Sequence, residues 1–143
     1  MGERSAKQWS FDYWESGDSS PVQEQFEAFL SKGPSKRKML RHKINDLREK
    51  ALPSLLAPNL LEDLGNGLWG LEIAGGGAVY QFLGSIELVY GATYFVALSG
   101  HQHRSTKRER SEQEGLARVR LEVRRQNYQL VNLSVYYGLP PRE

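Results

Sequence analysis

The chain contains no cysteine, which excludes disulfides and thiolate-held metals and leaves the redox compartment open. No apolar run approaches the roughly 20 residues a membrane-crossing helix needs. MGERSAKQ, at the start, lacks the apolar core of a secretory signal. These absences predict a soluble, cytoplasmic protein with no membrane contact. Histidine is scarce, at three in 143 residues. Positive charge is missing from the whole middle: between Lys50 and Arg104 the charged residues are Glu62, Asp63, Glu72 and Glu87.

What is present is therefore concentrated. Lys36, Arg37, Lys38, Arg41 and Lys43 form one basic block. Arg104, Lys107, Arg108, Arg110, Arg118, Arg120, Arg124 and Arg125 form another. The formal net charge is only +2, so the segregation says more than the total. It fits a polyanionic or acidic partner, and each block taken alone fits a solvated helix face equally well. The length suits a single domain spanning residues 1–143.

WSFDYW (Trp9 to Trp14) alternates apolar and polar residues as a half-buried strand does. Ser20-Pro21-Val22-Gln23 offers an N-cap, a proline at the first helical position and a capping glutamine. A first helix follows to about Ser31, ended by Lys32-Gly33-Pro34. Ser35 is positioned to cap a second helix with Leu40, Ile44, Leu47 and Ala51 inward, stopped by Pro53. A connector over 54–66 leads to strands at Leu68–Ala74, Ala78–Tyr90 and Thr93–Ser99, the middle one open to a break at Gly84-Ser85. Thr106 and Ser111 both head capping boxes for a third helix to about Arg125, with Leu116, Val119 and Val123 inward. This order predicts an α+β domain with helices packed on an antiparallel sheet.

GNGLWG (Gly65 to Gly70) has the letters of a dinucleotide fingerprint but precedes a strand instead of opening a helix, so it reads as a turn. No cofactor is called for. His101 and His103 sit two apart, and a zinc site there needs further ligands from Asp, Glu or the distant His42. The stretch GHQHRSTKRER pairs imidazoles with cations: His101, His103, Arg104, Lys107 and Arg108. Metal-free RNA cleavage needs this mixture, because histidine moves protons near neutral pH and cations hold the phosphate. A solvated loop before a charged helix accounts for the same residues. Tyr80, on a strand, suits either the core or a base-stacking groove.

Several phrases together resemble the phage-derived branch of the RelE/HigB toxin superfamily: SPVQEQFEAFL, the basic second helix, LEDLGNGLWGLEIAGGGAVYQF, and a strand leading to a His/Lys/Arg loop before GLARVR. The resemblance spans about residues 9–125, leaving 126–143 as a C-terminal extension. It implies a compact antiparallel sheet with two N-terminal helices and a C-terminal helix. It further implies a type II toxin, a ribosome-dependent endoribonuclease (mRNA interferase) whose partners are the ribosome, mRNA and a helix-turn-helix antitoxin. By that resemblance His101, His103, Arg104 and Lys107 carry the chemistry. Lys36, Arg37, Lys38, Arg41, Arg108 and Tyr80 contact RNA, with no metal. Where the family usually has arginines on the sheet, this chain has Glu72 and Gln81. The alternative is a toxin-fold protein that binds an antitoxin, the ribosome or another protein without cleaving RNA.

Overall fold

The computed structural model describes residues 9–131 and 133. Strand β1 is Trp9–Tyr13, followed by helix α1, Pro21–Ser31. A 3-10 turn at Ser35–Met39 leads into α2, Leu40–Arg48, and a second at Leu52–Leu55 precedes β2, Leu61–Gly65. Then come β3 (Leu68–Gly75), β4 (Ala78–Val89), β5 (Ala92–Gln102), α3 (Lys107–Asn127) and β6 (Gln129–Leu130). The fold is α+β, with one six-stranded sheet ordered β1-β5-β4-β3-β2. β6 pairs with β4 at Glu87 and Leu88, beyond the point where β3 begins at Leu68.

The sheet is mixed. Strands β2 to β5 form an antiparallel meander, but β1 runs parallel to β5, Trp9 opposite Thr93 and Tyr13 opposite Ala97. Each meander hairpin turns on two residues with positive φ: Asn66-Gly67, Gly76-Gly77 and Tyr90-Gly91. That backbone matches the right-handed twist of the flanking strands. GNGLWG is thus a hairpin, and the connector expected over 54–66 contains the strand β2. β4 does not break at Gly84-Ser85. The irregularity lies opposite: Leu83 faces Ser99 and Gly84 faces Ala97, so Leu98 is the extra residue of a bulge on β5.

Helices α1 and α2 cover one face. Val22, Phe26 and Leu30, at helical spacing, and Leu40, Ile44 and Leu47 bury against Leu71, Ile73, Tyr80, Phe82 and Phe95. Ser20 does not cap α1 with its side chain; its hydroxyl donates to the Trp14 carbonyl at 3.3 Å. Ser35 likewise opens a 3-10 turn and not the α-helix itself. Within that turn Arg37 folds back, its Nη1 donating to the Phe29 carbonyl at 3.1 Å and its guanidinium lying 4.2 Å from the Phe29 ring centre. The last carbonyls of α1 lack helical partners, and Arg37 satisfies one of them.

Helix α3 covers the opposite face, burying Ala117 and Leu121 on Leu68, Leu83, Val96 and Leu98. The inward positions expected from sequence were Leu116, Val119 and Val123, and these are 38%, 67% and 54% exposed. The helix is rotated because arginines fix it to the sheet. Arg124 pairs with buried Glu87, and Arg120 donates to Leu98 O at 2.5 Å while lying over the Trp14 ring. Arg118 donates to the carbonyls of Leu64 and Gly65, and Arg125 to that of Asn66. Much of the second basic block therefore holds the helix in place. The expected C-terminal extension contains a short strand at Gln129–Leu130; residues 132 and 134–143 lie outside the described residues.

Candidate functional site

β5 continues three residues past Ser99, so His101 stands on the strand and not in the loop expected from sequence. Its neighbours across the sheet follow from register: His101 faces Gln81, and Gln81 faces Glu72. Alternation along β3 sends Leu71 and Ile73 to the α1/α2 core, which turns Glu72 to the α3 side. Glu72 and Gln81 thus share one row with the histidine.

His101 is 9% exposed. Its Nδ1 lies 3.2 Å from the Gln102 carbonyl, an acceptor, so Nδ1 carries the proton and Nε2 the free lone pair. Burial holds its pKa below the ordinary imidazole value, and the charges of Arg110 and His103 push it the same way. The hydrogen bond to Gln102 and the Glu114 carboxylate oppose that shift without reversing it. A neutral imidazole with a basic Nε2 results, the state a general base requires.

Beside it lies a cleft of about 330 Å³ lined by Gln81, His101, Lys107, Arg110, Ser111 and Glu114 among others. Lys107 is the first residue of α3, whose start is fixed by Thr106: its Oγ1 accepts from the Glu109 N–H at 3.1 Å. Arg110 donates to the Ser105 carbonyl at 2.8 Å, which holds it at the cleft. A base, two cations and a helix N-terminus therefore meet at one mouth, an arrangement that suits a phosphate ester.

The other sequence-derived residues are distributed differently. His103 and Arg104 are exposed and line a neighbouring cleft of about 220 Å³ with Phe29, Arg37, Gly77 and Val79. The His103 backbone N–H donates to Val79 O at 2.9 Å, which keeps the chain at the sheet end. Arg37, from the first basic block, is brought to the histidine segment. Arg41 is not, being paired with Glu27 on α1. Lys36 and Lys38 are exposed, and exposed Arg108 pairs with Glu112 at 3.2 Å along its own helix. Tyr80 is buried, its ring against Phe26, Phe29 and Phe82, so it offers no face for stacking a base. Tyr80 and His101 are both among the residues around a third cleft, of about 320 Å³.

Sequence reasoning missed Arg110, Gln113 and Glu114. Arg110 was legible as the residue one helical turn after Lys107; the other two depend on the rotation of α3. Among the described residues no three His, Asp or Glu side chains converge on a metal position, and no helix is long and apolar enough to cross a membrane. Compared with known protein families, curated proteins and solved structures, the chain matches none.

Proposed function

We propose that the protein is a cytoplasmic RelE/HigB-like toxin of a type II toxin–antitoxin pair, an endoribonuclease that cuts mRNA on the ribosome. The observation that carries this reading is the neutral, largely buried His101 beside Lys107 and Arg110 in one cleft. In the proposed reaction His101 Nε2 takes the proton of a ribose 2′-hydroxyl. The resulting oxygen attacks the adjoining phosphorus, the bond to the 5′-oxygen breaks, and the products are a 2′,3′-cyclic phosphate and a 5′-hydroxyl. Lys107 and Arg110 stabilise charge on the non-bridging oxygens. His103, close enough for its charge to affect His101, supplies the proton to the leaving oxygen. Exposed Lys36 and Lys38 add long-range attraction to ribosomal RNA or to an acidic segment of a helix-turn-helix antitoxin.

The α+β order, the Asn-Gly and Gly-Gly hairpins, and the phrases SPVQEQFEAFL and LEDLGNGLWGLEIAGGGAVYQF support the family reading. A non-catalytic binding role is the second reading, and the row Glu72–Gln81–His101 favours it. A carboxylate two strands from the histidine repels phosphate, and glutamine supplies no charge where the family has arginine. Mapping 5′ ends of mRNA in a translating extract separates the two: new ends within translated codons support the nuclease, and translational arrest without them supports the binder.

A further inference from the structure

We propose that the protein forms a two-fold homodimer through β1. The free edge of this strand pairs antiparallel with β1 of a second copy and joins the two sheets into one.

The sheet has two edges, β2 and β1. An open edge invites pairing with another chain, and folded proteins blunt it with charge, bulges or cover. β2 is blunted in all three ways. Glu62 and Asp63 are adjacent exposed acids, the register slips between Asp63 and Gly65, and Arg118 takes the carbonyls of Leu64 and Gly65. β1 is treated differently. Its five residues keep one unbroken register with β5, and Asp12 is its single charge. Ser10, Phe11 and Tyr13 are half-buried and Asp12 is exposed.

The backbone of β1 shows which groups are left over. The Trp14 N–H donates to Ala97 O at 2.8 Å. Bonding residues alternate along a strand in a parallel pair, so Asp12 and Ser10 also face β5. The N–H and C=O of Phe11 and Tyr13 therefore point away from the sheet. Among the described residues, none bonds to them.

The residue pattern selects a second copy as the occupant. Phe11 and Tyr13 pack with the α1/α2 core, so Ser10 and Asp12 lie on the α3 face. An antiparallel register with Phe11 opposite Tyr13 sets the two Asp12 carboxylates directly against each other, which is destabilising. The register with Phe11 opposite Phe11 sets Ser10 opposite Asp12 on both sides of the axis. Those are the closer, non-hydrogen-bonded positions, and there a serine hydroxyl donates to the carboxylate. On the core face the two Phe11 rings meet as a cross-strand aromatic pair. WSFDY is thus complementary to itself when reversed, as an isologous contact requires. Opposite residues share a face, so both α3 helices fall on one side of the joined sheet. No residue lining the His101 cleft lies on β1, and the dimer is independent of the nuclease reading.

Sedimentation equilibrium of the full chain tests the dimer. A strand pair lies at the small end of specific interfaces, so the mass should rise from 16.3 kDa toward twice that value through the micromolar range. Ser10→Lys sets an ammonium opposite Asp12 and should tighten the dimer about tenfold, whereas Ser10→Asp should weaken it about tenfold. Opposite shifts from one position separate pairing from a folding effect. In the parent chain, amide exchange at Phe11 and Tyr13 should slow as concentration rises, and exchange at Asp63 should not. A chain that stays monomeric up to about 1 mM overturns the dimer and leaves the edge to a strand of another protein. A dimer with Phe11 and Tyr13 amides unprotected, or one of equal strength in both Ser10 variants, also overturns it and places the contact on another surface. Dimerisation through β1 in a protein that cuts no RNA leaves this interface standing and removes only the nuclease.

Discussion

Arg124 on α3 grips both oxygens of the Glu87 carboxylate on β4, Nε to one at 2.9 Å and Nη2 to the other at 2.6 Å. Glu87 has no exposed side-chain surface, and Ser85 Oγ donates to it at 2.6 Å as well. The Arg124 guanidinium also lies 3.9 Å from the Tyr128 ring centre. This pair, with the neighbouring arginine-to-carbonyl bonds, fixes the rotation of α3 and hence the position of Lys107 and Arg110 over His101.

Removing one partner leaves a buried, uncompensated carboxylate. Arg124→Ala should cost about 3–5 kcal/mol in urea unfolding. The double variant Glu87→Leu with Arg124→Met should recover most of that loss, because two apolar groups need no compensation. A single-variant loss no larger than that of a surface substitution would mean that the pair does not hold the helix.

The two faces of α3 give a second contrast. Leu121→Ala, at a buried position, should cost about 2–5 kcal/mol. Val119→Ser, at an exposed one, should change stability by about 0.5 kcal/mol or less. The reverse order would restore the helix orientation expected from sequence.

That orientation shows where sequence reading stops. The stripe Leu116, Val119, Val123 has helical spacing as good as that of Ala117, Leu121 and Arg124, and hydrophobicity favours the former. What decides is Glu87, and nothing local reveals that a glutamate in IELVY is buried. The hairpin at Asn66-Gly67 was legible as a turn, whereas β2 before it was not, because LEDLG carries two adjacent acids and little alternation. His101 looked like loop because polar residues crowd GHQHRS; pairing with β4 keeps the strand going to Gln102. Local patterns gave the α+β order and the starts of α1 and α3, including the Thr106 cap, while α2 begins five residues after the expected Ser35 cap. The parallel pairing of β1 with β5 is long-range and left no local mark.

Burial of His101 makes stability depend on pH. Its pKa is lower in the folded chain than the ordinary 6.5, so below that value the unfolded chain binds a proton the folded chain resists. This group's contribution is present above pH 6.5 and is lost as pH falls toward the folded-state pKa. Replacing it, as in His101→Gln, should flatten the fall in unfolding free energy on acidification below pH 6.5. An equally steep fall in the variant would assign the dependence to other groups.

The Gly76 turn is a tight joint between the β3–β4 hairpin and the first basic block. Its φ is +58°, and a Cβ there would lie 2.5 Å from the Lys36 carbonyl oxygen. Gly77, at φ +79°, has open space around it. Gly76→Ala should therefore destabilise by more than the roughly 1 kcal/mol expected of Gly77→Ala, where only backbone strain acts. Equal effects in thermal melts would show that the joint yields.

The central claim is that the His101 cleft cuts RNA, and the direct measurement is 5′-end mapping of an mRNA translated in a reconstituted extract with and without the protein. The account predicts new 5′ ends inside translated codons. His101→Ala should lower their rate by about 10²–10⁴-fold, and Lys107→Ala should also lower it. Intact mRNA in the presence of folded protein, or cleavage unchanged in His101→Ala, would contradict it.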